Sequence, residues 1–147
     1  MSKNITQKEY QKMVDKKSPS SKVFKNSITA FLIGGTICVI GQCFLSFYQT
    51  LNLSEEMTGA ATAISMIFLG VLLTGLDIYP KIAKHGGAGT LVPITGFANA
   101  VSAPAIEAKT EGFVLGVGAK IFTIAGPVIL YGTLASFLAG IIFLFMK

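Results

Sequence analysis

The residues able to move protons or attract ions are few in the apolar part of the chain, and four of them are gathered in one stretch. Glu107, Lys109 and Glu111 alternate in Glu107-Ala108-Lys109-Thr110-Glu111, with Asn99 and Ser102 before them and Lys120 after. Almost everything around them is apolar. An ionised side chain at membrane depth costs several kcal/mol, so such groups face a water-filled path, a partner or a solute. Asn99, Ser102, Glu107, Lys109, Glu111 and Lys120 are therefore expected to line a polar route, in which the two lysines favour an anionic solute. The competing reading makes the charged cluster an ordinary outer loop and leaves only Lys120 to be explained.

Catalysis is a poor fit to the same residues. A serine nucleophile needs an oriented base, and the single histidine, His85, is separated from Ser102 by a predicted half-helix. There is no metal-ligand motif, no phosphate loop and no paired-cysteine motif, so no enzyme, metal or cofactor is expected. Cys38 and Cys43 fall on different faces of an apolar helix and read as small packing residues.

Composition sets the medium in which these groups sit. The chain is 52% hydrophobic and 13% charged over 147 residues, with a mean hydropathy of +0.66. Soluble domains carry roughly a quarter charged residues. Residues 26–54, 57–76, 86–106 and 121–146 contain no Asp, Glu, Lys or Arg, and each run is long enough to supply the ~20 residues that cross a bilayer. An all-α integral membrane protein follows. Net charge is +5, yet seven of the twelve lysines precede residue 26 and arginine is absent, which argues for membrane orientation over nucleic-acid binding.

Residues 1–26 form a lysine-rich tail, in which Ser18-Pro19-Ser20-Ser21 interrupts any helix over residues 7–17. No cleavable leader pattern is present. By the positive-inside rule the N-terminus is cytoplasmic. The membrane domain covers 27–147, with full spans expected at 28–47, 57–76 and 128–146. Ser54 can cap the second span, and Asp77 and Lys81 stand four apart and can pair, although Pro80 lies between them and surface pairs contribute little.

Residues 90–125 read as a Gly/Pro-broken helical hairpin, either re-entrant or built of two half-helices, lying before the last span. Its first piece, 91–106, would reach about 24 Å if wholly helical, and Pro93 and Pro104 make even that length doubtful. The second piece is expected to stop at Gly126-Pro127, where the chain would reverse and leave Lys147 outside. Residues 96–103 and 112–119 share Gly, Phe, Val and Ala at matched places, an echo of the paired broken helices that form transport sites. A purely structural membrane subunit is the alternative.

Two motifs in this region resemble a known family. Gly96-Phe97-Ala98-Asn99-Ala100-Val101-Ser102-Ala103-Pro104-Ala105-Ile106-Glu107, then Thr110-Glu111-Gly112-Phe113, follow Asp77-Ile78-Tyr79-Pro80-Lys81-Ile82-Ala83-Lys84-His85-Gly86-Gly87-Ala88-Gly89, with Gly126-Pro127 later. The chain resembles the stage V sporulation protein AC family of spore-forming Bacillota, whose sister family is AEB; the long lysine-rich leader favours AC. The resemblance implies a subunit of the spore membrane complex that moves dipicolinic acid, with calcium, into the forespore and releases it at germination. It further implies a tension-gated role, an AEB-like sister subunit, a soluble dipicolinate-binding AD subunit, and a location in the inner forespore membrane. Three spans and a hairpin cannot surround such a route alone, so a homo- or hetero-oligomer is expected.

Overall fold

The computed structural model describes residues 6–17 and 22–146. Lys3, the Ser18-Pro19-Ser20-Ser21 interruption and Lys147 lie outside the described residues. The described segments are helical or connecting: α1 (Gln7–Lys17), α2 (Val23–Gln49), α3 (Glu55–Gly75), α4 (Tyr79–Gly86), α5 (Pro93–Glu107) and α6 (Ala119–Phe145).

α1 starts where Glu9 reaches back to Thr6, accepting from its amide at 3.1 Å and its hydroxyl at 2.8 Å. This satisfies a donor that the helix itself leaves free. α2, α3 and the run Phe113–Phe145 are long and apolar enough to cross a membrane. Ser54 caps α3 as expected, its Oγ accepting from the Met57 amide at 3.3 Å. Asp77, at φ 56°, closes the turn after α3 and pairs with Lys81 at 3.2 Å.

α3 is the central element, packed between α2 and α5. Tyr48 of α2 and Ser65 of α3 share a hydrogen bond of 2.7 Å. On the α5 side Gly70 has no side chain, and a Cβ there would stand 3.2 Å from the Ala98 Cβ and the Thr95 carbonyl. Small residues permit such close approach, which drives helix association in lipid. The core is accordingly thin: Met66, Tyr79, Ala98, Ala105 and Ala108 are its buried apolar members, while most large apolar side chains face outward, as a bilayer solvent requires.

Between α4 and α5 a 3₁₀ turn, Gly87–Thr90, presses against α2. Gly87 takes φ +49°, and a Cβ on Gly89 would overlap the backbone of Ala30. A second 3₁₀ turn, Ala108–Glu111, ends α5. Gly112, at φ +96°, then starts one π-helical segment, Phe113–Gly118, that runs directly into α6. The Gly112 carbonyl accepts from both Gly116 at 3.1 Å and Val117 at 3.0 Å. Gly116 allows this wider turn to close on the Ala108 carbonyl, a place with no room for a Cβ.

The all-α fold with three long apolar helices and a short, interrupted helical stretch before the last agrees with expectation, but two details are corrected. Gly126-Pro127 is not a stop, because Pro127 lies inside α6. A free backbone group surrounded by lipid costs more than a proline kink, so the helix continues. The echo between 96–103 and 112–119 is also not structural: Gly96 lies within α5, whereas Gly112 occupies a left-handed turn.

With no reversal at Pro127, α5 and α6 fold back on one another around the turn at 108–112, and the expected position of the C-terminus changes. The groove lined by Phe97, Val101, Lys109, Phe113, Val117 and Ile121 sets the start of α6 back along α5, so α6 is expected to return the chain end to the side of the N-terminus. With the N-terminus cytoplasmic, as the positive-inside rule expects, a Met146→Cys variant lacking Cys38 and Cys43 should therefore react with an impermeant thiol reagent from the cytoplasmic side. Labelling from the outside alone would restore the reversal.

Candidate functional site

Two regions around α5 bring polar side chains of the membrane domain together. The first joins α3, α4, the Gly87–Thr90 turn and α5. The hydroxyl of the buried Tyr79 donates to the Thr90 carbonyl at 2.7 Å and stands 3.4 Å from Thr95 Oγ1. Thr90 and Thr95 are themselves buried. Nearby, Thr74 Oγ1 lies 2.7 Å from the Gly70 carbonyl and 2.9 Å from Asn99 Oδ1. One hydroxyl proton cannot serve two acceptors. Turning the Asn99 amide so that Nδ2 donates to Thr74 satisfies both contacts. Among the described residues no buried side-chain N or O lacks a partner.

Tyr79 is therefore a clamp on the turn that α2 receives. Tyr79→Phe should lower stability by about 1–3 kcal/mol, because the Thr90 carbonyl would be left unpaired in a dry site. Thermal unfolding in detergent checks this against Tyr131→Phe, whose ring is exposed. Equal midpoints would show that the hydroxyl contributes nothing.

The second region is the hairpin of α5 and the start of α6. With α3 it borders an open groove of about 510 Å³ whose walls are almost wholly apolar, including Ile67, Phe97, Val101, Phe113 and Ile121. Ser102 and Lys109 also line it. Ser102 Oγ donates to the Ala98 carbonyl at 2.7 Å, which settles its hydrogen bond within α5. Glu107, Glu111 and Lys120 are exposed and are not among the groove's lining residues.

The structure thus separates the six candidates. Asn99 belongs to the Thr74 contact, Ser102 and Lys109 to the groove, and Glu107, Glu111 and Lys120 to the exposed surface of the hairpin. Lys109 makes no salt bridge among the described residues. Sequence reasoning missed Tyr79, Thr74, Thr90 and Thr95; their signal was a set of hydroxyl residues in otherwise apolar runs, which need internal partners at membrane depth. His85 forms the last full turn of α4 instead of a loop, with Nδ1 3.0 Å from the Lys81 carbonyl. Neither His85 nor Ser102 is hydrogen-bonded to the other. Cys38 and Cys43 are free and exposed.

Comparison with known proteins decides the family. The SpoVAC/SpoVAEB sporulation membrane protein family matches residues 26–142, nearly the whole membrane domain. The chain belongs to this family. It is also 42% identical over 134 residues to stage V sporulation protein AC of Bacillus subtilis (strain 168), covering 90% of this chain and 89% of that protein. No solved structure matches. A role in sporulation and a multi-pass membrane location follow from this membership together with the apolar helices. The match begins at the first residue of the charge-free run, so the Tyr79 clamp, the 3₁₀ turns, α5 and the hairpin all lie inside the SpoVAC/SpoVAEB region.

Proposed function

We propose that this SpoVAC/SpoVAEB-family chain is a conducting subunit of a spore-membrane assembly that passes dipicolinic acid, with calcium, into the forespore and out again at germination. It is placed in the inner forespore membrane with its N-terminus in the cytoplasm, and works with an AEB-like sister subunit and a soluble dipicolinate-binding AD subunit. Tension gating belongs to the same reading.

The observation that carries the proposal is the hairpin. Lys109 and Lys120 are free of carboxylate partners among the described residues, although Lys120 sits in the first turn of a helix that carries no other charged residue. Dipicolinate is a planar dianion, and unpaired lysines on an exposed hairpin suit it. The groove beside them is too apolar to be the route within one chain, so the path is formed where hairpins of several copies or of the sister subunit meet. That arrangement makes Glu107, Lys109, Glu111 and Lys120 lining residues of the assembly.

A scaffold that does not line the route is favoured by one observation, the apolar groove itself. Flux separates the readings. Proteoliposomes holding the chain with its sister subunit should release trapped dipicolinate, and hairpin charge reversals should slow that release without dissolving the assembly. An assembly that forms but passes the solute at the same rate with either charge would establish the scaffold.

A further inference from the structure

A third polar feature lies away from both regions. The first turns of α2 and the end of α4 border an open cavity of about 360 Å³, lined by Val23, Asn26, Ser27, Lys84, His85 and Gly87 among others, none of them acidic. Lys22 and Lys25 flank the same turn of α2. The nearest carboxylate in sequence, Asp77, is already held by Lys81, and Lys84 makes no salt bridge among the described residues. His85 uses Nδ1 toward the Lys81 carbonyl. The side chain of Lys22 does not cap α2, so the positive end of a 27-residue helix adds to the field.

The cavity is held open by the fold. Gly89 rests on the Ala30 backbone, and a Cβ on Gly34 would meet the Gly89 carbonyl at 3.0 Å. α2 and α4 therefore keep a fixed spacing, with Asn26 and Ser27 on one wall and Lys84 and His85 on the other. Its depth is informative as well. It sits where the lysine-rich segment gives way to the charge-free run beginning at residue 26, the level at which lipid phosphates meet hydrocarbon.

From this convergence we propose that the cavity binds the phosphodiester of an anionic phospholipid. Lys84 supplies charge and a charge-assisted hydrogen bond, and the Asn26 amide and the Ser27 hydroxyl complete the donor set. A zwitterionic head group would bring an amine into a field of lysines with no free carboxylate on the wall to receive it. The site is independent of the conducting route.

The experiment is native mass spectrometry of the full chain released from bilayers of equal phosphatidylglycerol and phosphatidylcholine. The wild type should retain phosphatidylglycerol preferentially, and a K84Q/H85Q variant should lose about tenfold in retention, the loss of one charge-assisted hydrogen bond. Lys84→Arg should keep most of the binding, which separates a charge requirement from misfolding. A K12Q/K16Q variant of α1 should behave as wild type. Loss of retention in the α1 variant with none in K84Q/H85Q would overturn the proposal, as would equal retention of both lipids by the wild type. A further arm adds free glycerol phosphate: no displacement supports the lipid, whereas full displacement overturns the lipid assignment and gives the site to a soluble phosphate ester.

Discussion

Replacing Gly89 by valine is expected to loosen the packing of the α4–α5 turn on α2 and to lower the melting temperature markedly. The position sits in the 3₁₀ turn between α4 and α5, and an added Cβ would overlap the carbonyl, carbonyl carbon and Cα of Ala30. A flexible side chain could move aside, but the backbone of a long apolar helix cannot. Relief would need the turn to leave α2, and the turn is tied to the core through Tyr79 and Thr90. Inserting methylene-sized bulk into packed interiors commonly costs about 1–3 kcal/mol, and collision with main chain places Gly89→Val at or above the top of that range. In a domain of this size such a loss corresponds to a fall in melting temperature on the order of 10 °C. Gly35→Val is the control, since a Cβ at Gly35 meets nothing within 4 Å. Thermal unfolding in detergent reads the difference, and matching midpoints for the two variants would mean that α2 and the turn do not touch as described.

The second large effect is on transport. Lys109→Glu and Lys120→Glu should each slow dipicolinate passage about tenfold or more while leaving membrane assembly intact. Two like charges at contact repel by about 1 kcal/mol in water and by several in a confined path of lower dielectric, and about 1.4 kcal/mol is already tenfold. The effect should shrink as salt is raised, because the groups are exposed and become screened. Asn99→Leu should act differently. It removes the partner of Thr74 without adding charge, so its main consequence is looser packing of α3 on α5, with a smaller change in flux. Dipicolinate release from proteoliposomes, measured alongside recovery of the assembled complex, distinguishes these outcomes. Unchanged release in fully assembled Lys109→Glu and Lys120→Glu complexes would remove the hairpin from the route.

The two predictions rest on different layers of the molecule. Gly89 acts on a contact inside one chain, where backbone meets backbone. In the proposed assembly the lysines act where chains meet, and for that reason their exposure in the single chain is compatible with a lining role. The short turn at Ala108–Glu111 links the layers, since it sets the direction in which α5 hands over to α6 and so the face that the hairpin charges present.

Much of this architecture was legible from charge placement alone. Four long runs without Asp, Glu, Lys or Arg pointed to helices in an apolar medium, Ser54 offered a cap for α3, and Asp77 and Lys81 stood four apart, within reach of one another, because each of these depends on residues close in sequence. The run 90–125 was recognisable as interrupted helix, since Pro93 and Pro104 and the glycines at 112, 116 and 118 are local signals. Their consequences were not local. Gly126-Pro127 reads as a break by propensity, yet α6 passes through it because lipid offers the backbone no other partner. Gly89 reads as one more flexible glycine until Ala30, far away in sequence, is found against it. Tyr79 finds Thr90 and Thr95, and Thr74 finds Asn99, only when α3, α4 and α5 converge. The sequence by itself determined the medium, the helices and the charges available for chemistry, since these follow from residue type and near spacing; the tertiary structure alone decided which glycines are contacts, which hydroxyls are paired, and that Lys109 faces a groove while Glu107 and Glu111 do not, because each depends on segments brought together only by packing.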